Sequence, residues 1–232
     1  MERPQLFLMP TDDETDLLEH LPFELPADQY EIARSYRKVN DRNNFVAARW
    51  LLVEFFEEQR VDFNLNDLQY TDAGKPFLNN GYHFSIAHTK GMVGLLVGTT
   101  PVGLDIELIK PIENYYEFSE VLTAGELDTI ARSGLQTFFR FWTAKEAILK
   151  LTGDGIVNSG LVNSILFPQP NTAILKYHAY TLQPFIIPGN IFATVAQMQS
   201  ANIDLTEYYY VTEVAGNRSL KYDNIKIIPF VG

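Results

Sequence analysis

Hydrophobic positions along the chain follow two rhythms. Short apolar runs bounded by Pro, Gly, Asn or Asp mark strands, and longer stretches with apolar residues three and four apart mark helices. "PQLFLMP" near the start predicts a first strand. "PADQYEIARSYRK" and "NDRNNFVAARWLLVEFFEEQ" predict two helices. In the second, Val46, Trp50 and Val53, with Phe45, Leu52 and Phe56, recur at helical spacing, and Asn40 or Asp41 suits the N-cap. "TDAGKPFL" is a turn-rich loop, and "YHFSIAHT", "GMVGLLVG" and "PVGLDIELI" read as three strands. Helices follow around "TAGELDTIARSG" and "QTFFRFWTAKEAILKLTG". From about residue 172 the chain is strand-rich, with a hairpin turning at Pro188-Gly189-Asn190. "EYYYVTEV" and "RSLKYDNIKIIPF" predict two further strands joined at Ala215-Gly216-Asn217. Helices mixed with mostly antiparallel strands, without a repeating βαβ rhythm, indicate an α+β fold. No low-complexity linker divides the chain, and a soft boundary near Pro101 separates residues 1–101 from 102–232.

Composition narrows the class. At 46% hydrophobic, with 16 Phe and 12 Tyr, the 232 residues can bury a sizeable core. The 18 basic against 29 acidic residues give a net charge of −11, which argues against a general nucleic-acid binder. With no cysteine, disulfides, thiolate chemistry and Cys-type zinc sites are excluded. The start "MERPQLFLMPTDDETD" lacks the apolar core of a signal peptide, and no run approaches a membrane span, so a soluble cytoplasmic protein is expected.

Against this background "VGLDIELIKP", residues 102–111, stands out. Residues two apart in a strand share a face, so Asp105 and Glu107 project together, roughly 7 Å apart. Leu104, Ile106 and Leu108 take the other face. Paired carboxylates repel, and burial worsens this unless a cation compensates. The spacing fits an edge strand with one polar face in water. It also fits hard oxygen ligands for Mg²⁺, which binds through one or two carboxylates plus substrate phosphates. In "FFRFWTAKEAILK", Phe141, Ala144, Ile148 and Leu151 make one apolar stripe, while Phe139, Thr143, Glu146 and Lys150 share the opposite face. Apolar residues on several sides predict a helix covered on several sides, which leaves Glu146 and Lys150 at an interface or cleft. In "YHFSIAHTKG", His83 alternates out of phase with Phe84 and Ile86, and His88 follows the strand at a turn where His, Lys and backbone amides could meet a phosphate. "AGKP", residues 73–76, is first a turn and second a ligand loop.

In this order, "GKPFL", "FSIAHTKG", "GLDIELIKPI" and "FWTAKEAILKLTGDGI" resemble the Sfp-type 4′-phosphopantetheinyl transferases. The family signature pairs a G-x-D-[IV]-E strand with a downstream W-[ST]-x-K-E-[AS]-x-x-K helix. Both are matched in full, about 35 residues apart, within a similarity running from about residue 30 to 212. Residues 214–232 have no family counterpart.

The resemblance implies transfer of the phosphopantetheine arm of coenzyme A to a serine of an apo acyl or peptidyl carrier protein. That reaction requires Mg²⁺ and releases 3′,5′-ADP. It places Asp105, Glu107 and Glu146 at the metal, with Glu146 also helping to deprotonate the serine. Lys150 and Lys145 fall near the phosphates, where Lys150 could donate a proton to the leaving group. Lys75 and His88 would contact coenzyme A, and Arg34 and Arg37, with Lys38, would face its 3′-phosphate. Two similar α+β halves about a pseudo-twofold axis, with the cleft between them, are implied within one monomeric chain. Three departures accompany the match. Ala87 stands where the family has Ser, Asn44 replaces the second Arg of a D-R-x-R helix start, and net −11 suits acidic carriers poorly. A basic patch of Arg34, Arg37, Lys38, Arg42 and Arg49 would offset that charge. Ala87 and Asn44 leave open an alternative, a non-catalytic coenzyme A or carrier-protein binding protein on the same scaffold.

Overall fold

The computed structural model describes residues 3–153, 175–177, 179–198, 205, 207–214 and 220–227. The apolar runs form strands β1 (Gln5–Pro10), β4 (His83–Thr89), β5 (Met92–Gly98), β6 (Val102–Leu108), β8 (Tyr180–Ile187) and β9 (Ile191–Met198). Short strands β2 (Gln69–Tyr70), β3 (Pro76–Phe77) and β7 (Leu175–Tyr177) and the late strands β10 (Glu207–Val214) and β11 (Leu220–Lys226) complete the set. The periodic stretches form α1 (Ala27–Ser35), α2 (Val39–Glu58), α3 (Ala124–Ser133) and α4 (Leu135–Thr152). The fold is α+β, as the pattern predicts.

One sheet has the order β11-β10-β1-β5-β4 and the other β6-β9-β8-β7. The two halves repeat in connectivity. Each runs strand, helix pair, hairpin, and in each the last strand inserts antiparallel between the first two, giving β1-β5-β4 and β6-β9-β8. Strand alternation sorts the side chains into layers. Phe7, Val93, Leu95 and Val97 pack against Trp50, Phe55 and Phe56 of α2. Leu6, Leu8 and Leu96 face Leu104, Ile106, Phe185 and Val195 of the second sheet. Leu182, Phe192 and Ala196 meet Phe141, Ala144 and Ile148 of α4. Each sheet therefore carries a helix outside, and the sheets share an apolar layer between them.

Local expectations need two adjustments. The α2 helix starts at Val39, with Lys38 at the cap and no side-chain cap bond, so Asn40 and Asp41 lie inside the first turn. Asp41 there still favours the helix by meeting its positive end. "TDAGKP" is a tight two-stranded hairpin in which the Thr71 amide donates to the Lys75 carbonyl at 2.9 Å and Gly74 takes φ 81°. The β8–β9 hairpin turns as expected, with Gly189 and Asn190 at positive φ. The expected joint at Ala215-Gly216-Asn217 lies outside the described residues.

The largest correction concerns the division at residue 101. β10 and β11 do not extend the second sheet; they return to the first, where β10 pairs parallel with β1 through Phe7↔Tyr209 and Leu8↔Tyr210. The open edge of β1 is apolar, and aromatic stacking fills it. Tyr209 stacks on Phe7 at 4.9 Å, and Tyr222 meets the same ring edge-on at 5.7 Å. The side-chain amide of Gln183 in β8 donates to the Leu205 carbonyl at 2.8 Å and accepts from its amide at 3.3 Å. The late strands thus build core in the first half, and Leu205 ties that half to the second.

Candidate active site

The site begins at a close approach. A Cβ on Gly103 would fall on the Ala147 carbonyl oxygen and lie 2.8 Å from Leu151 Cβ, so only glycine lets β6 sit this tightly against α4. The approach closes the polar face of β6. Asp105 is 4% exposed, so this face does not look into water as an ordinary edge strand would.

Three carboxylates and an ammonium converge there. Lys150 Nζ donates to Asp105 Oδ1 at 2.7 Å, while Asp105 Oδ2 is buried without a hydrogen-bond partner. Trp142 Nε1, two turns into the same helix, donates to Glu107 Oε1 at 3.2 Å. Glu146 is buried on that helix, and its Oε1 likewise lacks a partner. Burial foremost raises the Asp105 carboxyl, against the pull of Lys150. Burial and then Asp105 raise Glu107. Burial, with Asp105 beside it, pushes Glu146 up to about 7. Such mutual perturbation in a cleft marks a functional site rather than a solvated surface pair.

The first half supplies the opposite wall. A cavity of about 360 Å³ is lined by Gly74 and Lys75 of the β2–β3 hairpin, Ser85 of β4, and Glu146, Lys150 and Gly153 of α4. Lys75 Nζ crosses it to donate to the Leu151 carbonyl at 3.1 Å, and burial lowers its ammonium to about 8. His88, at the exposed end of β4, is lowered by surrounding protein and then by Lys150, against Asp41. The structure therefore brings Lys75, Glu146 and Lys150 to one cavity, with Asp105 held by Lys150 and Glu107 by Trp142 beside it, while His88 lies outside the lining but within reach of the Lys150 charge.

Other expected residues lie elsewhere. The Lys145 ammonium is directed away, donating to the Val121 carbonyl at 2.6 Å and pairing with Glu126 at 2.8 Å, with both side chains 1% exposed. That pair fastens α4 to the capping box of α3. Arg34 and Arg37 are exposed, and the Arg34 guanidinium lies 5.9 Å from the Tyr30 ring centre. The five-residue basic patch does not assemble. Arg42 is paired with Asp16 at 2.6 Å, and Arg49 is buried with its guanidinium 3.5 Å from the Phe45 ring centre. Asn44 is also buried, accepting from the Thr11 hydroxyl at 2.9 Å, and Ala87 packs in the layer between sheets. Neither departure from the family pattern lines the cavity. Sequence reasoning missed Ser85 and Thr89, whose hydroxyls accept from the Leu104 and Leu108 amides. Their signal was available as polar residues four apart on one face of a strand.

The donor set is hard oxygen, suited to a divalent cation. Among the described residues no three such groups close into a ligand shell, and at Asp105 the Lys150 ammonium meets the charge. The two orphaned oxygens, Asp105 Oδ2 and Glu146 Oε1, are the atoms a cation would satisfy. A pH prediction follows from Glu146. Its folded value near 7 exceeds the ordinary 4.5, so the folded chain keeps a proton that the unfolded chain releases between them. This group's contribution should fall as pH rises through that window and level off above 7. Added Mg²⁺ should raise the melting temperature more at pH 8 than at pH 6, measured by calorimetry, because ligands bind deprotonated.

Comparisons with known proteins identify the family. A family model for the 4′-phosphopantetheinyl transferase superfamily matches residues 101–185, which contain β6 and α4. The 4′-phosphopantetheinyl transferase HetI of Nostoc is 26% identical over 208 residues, covering 82% of this chain and 86% of that protein. A Synechocystis protein, provisionally named a 4′-phosphopantetheinyl transferase, is 30% identical over 192 residues, 76% of this chain and 74% of its own. The transferase AcpT of Salmonella typhimurium is 29% identical over 159 residues, 63% of this chain and 80% of its own. The chain belongs to the 4′-phosphopantetheinyl transferase superfamily. No helix among its described residues is long and apolar enough to cross a membrane.

Proposed function

We propose that the chain transfers the 4′-phosphopantetheine arm of coenzyme A to a serine of an apo acyl or peptidyl carrier protein, with Mg²⁺ held by Asp105, Glu107 and Glu146. The observation that carries this reading is the pair of buried, unpartnered carboxylate oxygens, one on Glu146 in the wall of a cavity that also holds Lys75, the other on Asp105, which holds the neighbouring Lys150. When bound, the cation supplies charge for the pyrophosphate of coenzyme A and stabilises its reacting oxygens. The rest falls to side chains. Lys75, in the cavity wall, would contact the nucleotide, and His88, near Lys150, its phosphate. Glu146 accepts the serine proton as the serine oxygen bonds to phosphorus and the pyrophosphate P–O bond breaks. Lys150 meets the negative charge on the departing 3′,5′-ADP, since a cation at Asp105 competes for the carboxylate it now holds. Arg34 and Arg37, exposed and outside the cavity lining, would reach the 3′-phosphate only if it extends beyond that cavity. The repeated connectivity supports a pseudo-twofold relation of the halves within a monomer. Because the Lys145 ammonium is committed to Glu126, its part is to hold α4.

The test is incubation with coenzyme A, Mg²⁺ and a broad panel of apo carrier proteins, read by mass spectrometry. At least one carrier should gain the mass of one phosphopantetheine arm. Coenzyme A binding without transfer to any carrier would replace this reading with the non-catalytic one.

A further inference from the structure

We propose that Ser85 and Thr89 of β4 are positioning residues that hold the acidic strand in register with the coenzyme A side of the cleft. This rests on the reading of Asp105 and Glu107 as cation ligands. β6 ends its sheet, pairing with β9 on one side only. In an antiparallel strand, amides alternate between the two sides, so those of Leu104, Ile106 and Leu108 point away from β9. The layer they enter is buried and apolar, where an unmet amide is unfavourable.

Two of these amides are met by hydroxyls from the other half. Leu104 N donates to Ser85 Oγ at 3.0 Å, and Leu108 N donates to Thr89 Oγ1 at 2.9 Å. Ser85, Ala87 and Thr89 share one face of β4 by strand alternation, so the hydroxyls match the amides four residues apart on β6. Ala87 offers no side-chain acceptor, and the Ile106 amide donates to the Asp105 carboxylate instead. The two bonds straddle Asp105 and Glu107. They join the strand bearing both carboxylates to the strand that carries His88, beside the hairpin of Lys75. Nothing else in β6 fixes it lengthwise against the first half by side-chain hydrogen bonds among the described residues. Neither hydroxyl is needed at a reacting atom; each sets the distance between the cation ligands and the nucleotide-facing wall.

Four variants of the full chain test this. Ser85→Ala and Thr89→Val remove an acceptor oxygen while keeping near-native volume; Ser85→Thr and Thr89→Ser keep it. Amide exchange by NMR at Leu104 and Leu108 reads each bond directly. Calorimetric titration of Mg²⁺ in the presence of coenzyme A and the kcat–KM split read its consequence. Ser85→Ala should speed exchange at Leu104 by about tenfold, as loss of one hydrogen bond implies. It should also weaken Mg²⁺ binding and lower kcat by at least about fivefold, with KM for the carrier unchanged and Ser85→Thr restoring all three. Thr89→Val and Thr89→Ser should do the same at Leu108, and they carry the test should Ser85→Ala not fold. Unchanged exchange overturns the proposal, and so does faster exchange with wild-type Mg²⁺ affinity and kcat. Failure of the functional reading would show separately, as a wild type that transfers to no carrier while the exchange and Mg²⁺ arms still report.

Discussion

Replacing Asp105 with Asn should remove transfer activity by at least about a thousandfold while leaving the protein as stable as before, or more so. The activity loss follows from the several kcal/mol that metal-assisted charge stabilisation contributes to such chemistry. The stability expectation follows from burial. The carboxylate is 4% exposed, has one oxygen without a partner, and is raised by desolvation. An amide of the same shape removes a poorly solvated charge. Lys150 loses its partner, but its side chain is 31% exposed and can take water instead. Residues kept for chemistry at the expense of stability behave in this way, whereas a structural ion pair would lose both together. Turnover and the calorimetric melting temperature of the variant, measured at pH 7.5 without added metal for the melt, decide the matter. Turnover near wild type would remove Asp105 from the cation site. A large drop in melting temperature would make the Lys150 pair structural.

Much of this site was legible in the chain. Asp105 and Glu107 share a face because strands alternate, and the apolar sides of α4 announced that Glu146 and Lys150 would be enclosed rather than solvated. Both inferences use only local periodicity, which the backbone enforces. What local periodicity cannot carry is partner choice over long distance. Tyr209 and Tyr222 find Phe7 because β1 has an open apolar edge, and nothing near residue 209 in sequence encodes that edge. Lys145 sits one residue from Glu146, yet the helix turns its ammonium toward Glu126, so a motif position suggestive of phosphate contact became a buried ion pair. Arg49 was counted with the surface charge because arginine is rarely buried, but Phe45 stacks on its guanidinium and Gln29 accepts from its Nε at 3.2 Å.

The other large effect is expected at Gly103, where the chain needs the absence of a side chain. A methyl group there would meet the Ala147 carbonyl oxygen, with the Leu151 amide nitrogen at 2.8 Å as well. These are backbone atoms of a helix packed on its remaining faces, so they cannot step aside as a side-chain tip could. Gly103→Ala must therefore push α4 away from β6, and overpacking against backbone should destabilise by about 3 kcal/mol or more. The same displacement separates Glu146 and Lys150 from Asp105, so turnover should fall even in whatever fraction folds. Gly94 provides the internal comparison. A Cβ there approaches Leu104 Cδ2 at 2.9 Å, the far end of a flexible side chain, and Gly94→Ala should lose only about 1 kcal/mol, with activity retained. Urea denaturation midpoints of the two variants, with turnover measured on the folded protein, separate the cases. Equal midpoints would mean that α4 yields more easily than its burial implies. The tight seam between strand and helix would then not be what holds the three carboxylates together.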